Sequence, residues 1–160
     1  MTFQVRQVRD EDREWVRDLI RERWGDEIVV GHGVVYEPAE LDGFIAMEGE
    51  EPVGLATYRI ERHACEIVTI DALVEGRGVG SSLVEAVLER AHRAGCERLW
   101  LVTTNDNERA QRFYDKLGFR VVEVREGAVN ESRKLKPSIP LVGRGGVPIT
   151  DEIELERRLG

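Results

Sequence analysis

The chain has 160 residues, with 23 Lys and Arg against 31 Asp and Glu, a formal net charge of −8 and a pI near 5.0. That length fits one domain over 1–160, able to bury roughly 70% of the surface its unfolded chain exposes. The acidic balance excludes a global nucleic-acid footprint, no apolar run approaches the ~20 residues of a membrane span, and Met1–Arg6 lacks a signal-peptide pattern; the expectation is a cytoplasmic protein bound to neither nucleic acid nor membrane.

Phe3 to Arg9 alternates apolar and polar residues and predicts an opening strand. Asp10 or Asp12 can cap a helix over about 11–24, with Trp15, Leu19 and Ile20 as its apolar stripe and Gly25 as its stop. Ile28–Val30 is a short strand candidate, followed by a loop from Gly31 through Tyr36 and Pro38. Residues 43–47 and 53–60 form a hairpin about a turn at 48–52. A strand over about 64–71 then leads into Glu75-Gly76-Arg77-Gly78-Val79-Gly80-Ser81 and an amphipathic helix to about Ala94, which Gly95 ends.

Strand, glycine-rich turn and helix start make a candidate phosphate site. Glycines let the backbone approach a ligand, and the first helical N–H groups and the dipole favour an anion. No lysine follows Gly80, so this is not a P-loop; Ser81 and Leu83 stand where a dinucleotide fingerprint needs glycine.

Arg98–Thr103 is a buried strand, Asp106 the cap of a helix to Leu117, Gly118 its stop, and Phe119–Arg125 a further strand. Pro and Gly punctuate the last 35 residues, which predict a short helix, a fixed loop and a final strand over 151–156. Strands and helices in this order imply a mixed α/β sheet. Cys65 and Cys96 have no metal spacing and read as small buried residues; no metal-ligand cluster is visible.

Two blocks carry a family resemblance. One is the Glu75–Gly80 loop. The other is Asn107-x-x-Ala110-x-x-x-Tyr114-x-Lys116-x-Gly118-Phe119 behind the buried strand. Together, at this spacing, they resemble the acyl-CoA-binding half of the GNAT family of N-acetyltransferases. The clear resemblance covers about 64–125, and the whole chain, tail included, is similar to a bacterial subgroup whose acceptor has no assignment. The family's loop usually opens with Gln or Arg. Here it opens with Glu75, whose carboxylate would repel a pyrophosphate unless it faces solvent.

The resemblance implies a mostly antiparallel mixed sheet flanked by helices, with a splayed strand pair binding acyl-CoA. It implies acetyl-CoA as co-substrate and direct transfer of the acetyl group to a primary amine of a small molecule or peptide. Ile70, Asp71 and Ala72 would pair with the pantetheine arm. The amides of Arg77, Gly78, Val79, Gly80 and Ser81 would hold the pyrophosphate. Asn107 would cap its helix or touch the cofactor arm, and Tyr114 would protonate the departing thiolate.

An alkyl amine has a pKa near 10, so a base aids attack at neutral pH. Glu66 is the leading candidate, a carboxylate set between apolar neighbours on a strand; His32, His63 and Glu152 follow. The acceptor site is expected between Trp24–Tyr36 and the 126–160 segment, where Arg133, Lys134, Lys136 and Arg144 suggest a basic face and an acidic acceptor. Ile139, Leu141, Val147 and Ile149 suggest instead a homodimer contact. A non-catalytic acyl-CoA-binding or interaction module on the same fold, and a nucleotide-binding α/β protein, are the competing readings.

Overall fold

The structure, a computed structural model, describes residues 2–160, except for the side chain of Arg144. Its strands and helices in chain order are β1 (Gln4–Gln7), α1 (Arg13–Trp24), β2 (Val29–Gly31), β3 (Val34–Tyr36), β4 (Asp42–Glu48), β5 (Glu51–Glu61), β6 (Ala64–Ala72), α2 (Val79–Arg93), β7 (Arg98–Thr104), α3 (Glu108–Lys116), β8 (Arg120–Arg125), α4 (Ala128–Leu135) and β9 (Glu152–Arg158). Seven strands form one sheet in the order β1-β4-β5-β6-β7-β9-β8, and β2 and β3 form a separate hairpin. Every neighbouring pair in the large sheet is antiparallel except β6–β7. The mixed, mostly antiparallel sheet flanked by helices is the one expected.

Alternation along the central strands builds a core on each face. Ala46 and Ala56 face α2, where Val79, Leu83, Val84, Val87 and Ala91 lie buried together with Tyr114 and Phe119. Ile45 and Leu55 face α1. There Val16, Leu19 and Ile20, at helical spacing, are buried, each contributing roughly 1.5–3 kcal/mol. At Gly54 of β5 a Cβ would lie 2.5 Å from Val79, so the missing side chain is what lets the first turn of α2 sit directly on the sheet.

Several local expectations are corrected. Asp12 occupies the cap position of α1 but bonds elsewhere: its carboxylate accepts from the Arg6 guanidinium at 2.7 and 2.9 Å and from the Arg9 amide at 2.7 Å. The cap of α3 is Asn107, whose Oδ1 accepts from Ala110 N at 3.1 Å, not Asp106, which accepts from Thr104 Oγ1 at 2.5 Å. Residues 34–36 are a strand rather than loop. His32 (φ 41°) and Gly33 (φ 79°) sit between the paired Gly31 and Val34, so a two-residue turn with positive φ at both positions closes the hairpin. The final strand, expected over 151–156, is β9 over Glu152–Arg158, and it runs between β7 and β8.

Candidate active site

β6 and β7 pair only over Ala64↔Arg98, Cys65↔Leu99 and Glu66↔Trp100. Beyond that point β6 stays with β5 and β7 stays with β9. The two halves of the sheet diverge, and a bulge at Val68, between the pairs Thr57↔Thr69 and Tyr58↔Ile67, sharpens the departure. The gap is a cleft of about 700 Å³, with Ile67, Val68, Leu101 and Val102 near its closed end. Its strand edges have no partner in each other and can pair with an extended ligand.

At one end the cleft meets the start of α2. Gly76 and Gly78 have φ of 73° and 75°, the left-handed conformation that glycine adopts without cost. The first helical bond is Ser82 N to Gly78 O at 3.0 Å, so the amides of Val79, Gly80 and Ser81 have no helical acceptor and form an anion-binding end. Glu75 is exposed and pairs with Arg109 at 3.3 Å, which offsets its charge. Arg77 pairs with Glu48 across the loop.

Tyr114 lines the same cleft, 3% exposed, edge-on to Phe113 and Phe119. Burial, with the nearby Asp71 charge, raises its pKa, so the phenol holds its proton at neutral pH and can donate it. On the opposite lip, Asp71 accepts from Trp24 Nε1 at 3.2 Å, and Arg23 donates to Ala72 O at 3.1 Å. Burial raises the Asp71 pKa, while Trp24 and Arg23 work against it.

Below the closed end lies a polar cluster on the α1 face. Glu66, 6% exposed, accepts from Tyr36 Oη at 2.5 Å, and His32 Nε2 lies 2.9 Å from its other oxygen. The His32 amide donates to Glu152 at 3.1 Å, and Ser132 of α4 donates to the same carboxylate at 3.3 Å. The His32 ring packs 5.0 Å from Trp100, which Arg98 covers at 4.7 Å. The hydrogen bond to Glu66 raises the His32 pKa above the ordinary histidine value. Burial opposes it, the Glu66 and Glu152 charges add to it, and Arg125 subtracts.

Along β9, Glu152, Glu154 and Glu156 are all buried. Glu154 lies between Arg98 at 3.0 Å and Arg125 at 2.5 Å, and Glu156 accepts from Arg98 at 2.8 Å. Burial alone would raise the Glu154 pKa; Arg125 and Arg98 outweigh it, and the net shift is downward.

The sequence matches the model of the Acetyltransferase (GNAT) family over residues 5–119. The chain belongs to the GNAT acetyltransferase family. It is 40% identical over 143 residues to the uncharacterized protein YdhI of Bacillus subtilis, covering 88% of this chain and 89% of that one. The fold matches an IAA acetyltransferase from Bacillus cereus with a TM-score of 0.76 at 19% identity, over 99% and 100% of the two chains. It also matches a GNAT acetyltransferase from Elizabethkingia anophelis with acetyl-CoA bound, with a TM-score of 0.71 at 17% identity over 98% of each.

Within this GNAT chain, the cleft gathers most of the residues singled out for the cofactor: Ile70, Asp71, Ala72, Gly78, Val79, Gly80, Ser81, Asn107 and Tyr114 all line it. Glu66, His32 and Glu152 meet in one cluster. His63 does not join them; it lies exposed in the β5–β6 turn. Tyr36 and Trp100 are cluster members that sequence reasoning did not single out, and no spacing in the sequence links them to Glu66.

The expected basic face does not form from the described side chains. Arg133 donates to the carbonyls of Pro140 and Ile149 at 2.7 and 2.6 Å, Lys136 donates to Trp24 O at 2.9 Å, and Lys134 pairs with Glu131 at 3.0 Å. Arg133 satisfies backbone carbonyls of the proline-bent segment, Lys136 a carbonyl at the end of α1, and Lys134 a neighbouring carboxylate. Arg144 lies outside the described side chains. Of the apolar tail residues, Leu141 and Val147 are exposed and Ile149 is buried. Burial pushes the Cys65 thiol up to about 12, with Cys96 adding, so a thiolate beside Glu66 is disfavoured. Among the described residues no group of three or more His, Cys, Asp or Glu is placed to hold a metal, and no helix is long and apolar enough to cross a membrane.

Proposed function

We propose that this chain moves an acetyl group from acetyl-CoA to a primary amine of a small molecule or peptide by direct attack, as a single N-acetyltransferase domain over 1–160 in which the 126–160 segment completes the acceptor side. The observation that carries this reading is the parting of β6 and β7 at Glu66 and Trp100. It opens a cleft with an anion-binding helix start at one end and a buried carboxylate cluster beside the other. The pyrophosphate rests on the amides from Arg77 to Ser81. The pantetheine arm pairs with the free edge at Ile70–Ala72, beside Asn107.

The thioester then lies near the Val68 bulge, between Tyr114 and the Glu66 cluster. Loss of the ammonium proton depends on the negative charge of Glu66. The neutral amine attacks the thioester carbonyl, the C–N bond forms, and the tetrahedral intermediate expels the thiolate. Tyr114, whose burial keeps it protonated, gives a proton to that sulfur, and the second proton shed by the nitrogen as the amide forms restores the phenol. No covalent enzyme intermediate is required.

The test is thermal stability with acetyl-CoA, CoA, ATP and NAD in turn. A ligand at about 100 times its Kd adds roughly 2.7 kcal/mol, a rise of several degrees for this length. A rise with acetyl-CoA and CoA supports the reading and leads to an amine screen that follows release of the CoA thiol. A rise with ATP or NAD alone refutes it.

A further inference from the structure

The Glu66 cluster contains two groups able to take a proton, and hydrogen-bond chemistry distinguishes them. Glu66 accepts from Tyr36 Oη on Oε1, and His32 Nε2 lies 2.9 Å from Oε2. A carboxylate cannot donate, so a bond between Oε2 and Nε2 requires the imidazole proton to sit on Nε2. Neutral His32 then carries its lone pair on Nδ1, which has no protein partner among the described residues. The backbone fixes where this ring sits. His32 stands at φ 41° in the β2–β3 turn, anchored through its amide to Glu152, and its ring leans on Trp100 at the last paired position before the strands part.

We propose that Nδ1 of His32 is the proton-accepting atom for the acceptor amine, that Glu66 orients and charges the imidazole, and that Tyr36 is a positioning residue that fixes Glu66. This rests on the acetyl-transfer reading. The ammonium gives its proton to Nδ1, an N–H bond breaks and another forms, and the imidazolium that results is paired with Glu66. No oxidant, metal or further reactant is involved. Glu66 plays the part of the carboxylate in a histidine-carboxylate pair, whose protons belong to the pair as a unit.

The charged and titratable groups around His32 come from six strands, Arg59 being on β5. They are Glu66 on β6, Glu152 on β9, Arg125 on β8, Tyr36 on β3 with Arg59 5.8 Å over its ring, and Arg98 on β7 beyond Trp100. Two carboxylates against one nearby guanidinium favour the imidazolium.

The experiment is a nitrogen-15 NMR titration of the full chain, which has only three histidines, with His63→Gln and His92→Gln used for assignment. The expected result is an Nε2–H tautomer in neutral His32 and a titration midpoint above the ordinary histidine value, falling in Glu66→Gln. With acetyl-CoA and an accepted amine, the acidic limb of kcat/KM should follow that midpoint in both proteins. His32→Gln should lower kcat about 10²- to 10⁴-fold while acetyl-CoA affinity is retained. Tyr36→Phe should shift the limb with a smaller loss. A proton on Nδ1, or an acidic limb that survives in His32→Gln, overturns the inference while leaving acetyl transfer intact. Failure of the wild-type chain to bind acetyl-CoA overturns both.

Discussion

The two ends of the cleft are built by different means. The cofactor end is local: Gly76, Gly78 and the first amides of α2 lie within a few residues of one another and offer backbone groups. The carboxylate end is assembled from afar. Glu66 meets the His32 ring across 34 residues, and the Glu152 carboxylate accepts from the His32 amide across 120, so both contacts need a distant carboxylate side chain. A backbone site tolerates changes of side chain but not of φ. A side-chain site tolerates loop variation only while every contributing element holds its place. The cofactor end should therefore be fragile at glycines, and the acceptor end at buried charges.

The largest expected effect is on turnover. Glu66→Gln and Tyr114→Phe should each lower kcat about 10²- to 10⁴-fold. Acetyl-CoA affinity, measured by calorimetry, should stay within a few-fold of wild type. Equal loss of binding and turnover would place Glu66 in the fold rather than the chemistry.

Next comes the buried ladder of β9. Glu154→Ala strands Arg98 and Arg125 without their shared carboxylate and should cost about 3–5 kcal/mol, a fall in melting temperature of roughly 10 °C or more. Because the native Glu154 pKa is lowered, its contribution is present above the ordinary carboxylate value. It is lost as pH falls through the lower native value, so acid melting curves should distinguish the variant from wild type least at the lowest pH. His32 has the opposite sign. Its pKa is raised, so its contribution is present below the ordinary histidine value and lost as pH rises through the native one.

At the cofactor end, Gly78→Ala forces a Cβ into a left-handed position and should cost about 1–2 kcal/mol while weakening CoA binding. A melting curve with and without CoA measures both. Asn107→Ala should cost about 1 kcal/mol through loss of the α3 cap. Smallest of all, Glu75→Gln should tighten CoA by less than about fivefold, because the carboxylate is exposed and already faces Arg109. A larger gain, fading with salt, would mean that Glu75 does oppose the pyrophosphate.

The legible parts share one property. The apolar spacing of α1 and α2, the glycine stops at Gly25 and Gly95, and the loop from Glu75 to Gly80 are set by neighbours in the chain, and each lies close to where the sequence predicts it. Errors arose where two local choices were nearly equal. Asp106 and Asn107 are both good caps, and only the bond from Ala110 separates them. Gly31–Tyr36 has the composition of a loop. Its turn closes a hairpin because Val29 and Tyr36 are buried against the α1 core.

The glutamates of β9 show what alternation leaves open. The alternation of Glu152, Glu154 and Glu156 marks a strand but not its place in the sheet: β9 lies between β7 and β8, where Arg98 and Arg125 from the two neighbours pair with Glu154 on a buried face. The sequence by itself determined the strand-loop-helix unit with its anion-binding amides and the family to which the chain belongs, because these depend on φ preferences and periodicity within short segments. Only the tertiary structure decided that β9 enters the sheet interior and that His32, Tyr36, Glu66 and Glu152 share one cluster. Those contacts depend on strand order and register, which bring together residues that no local pattern connects.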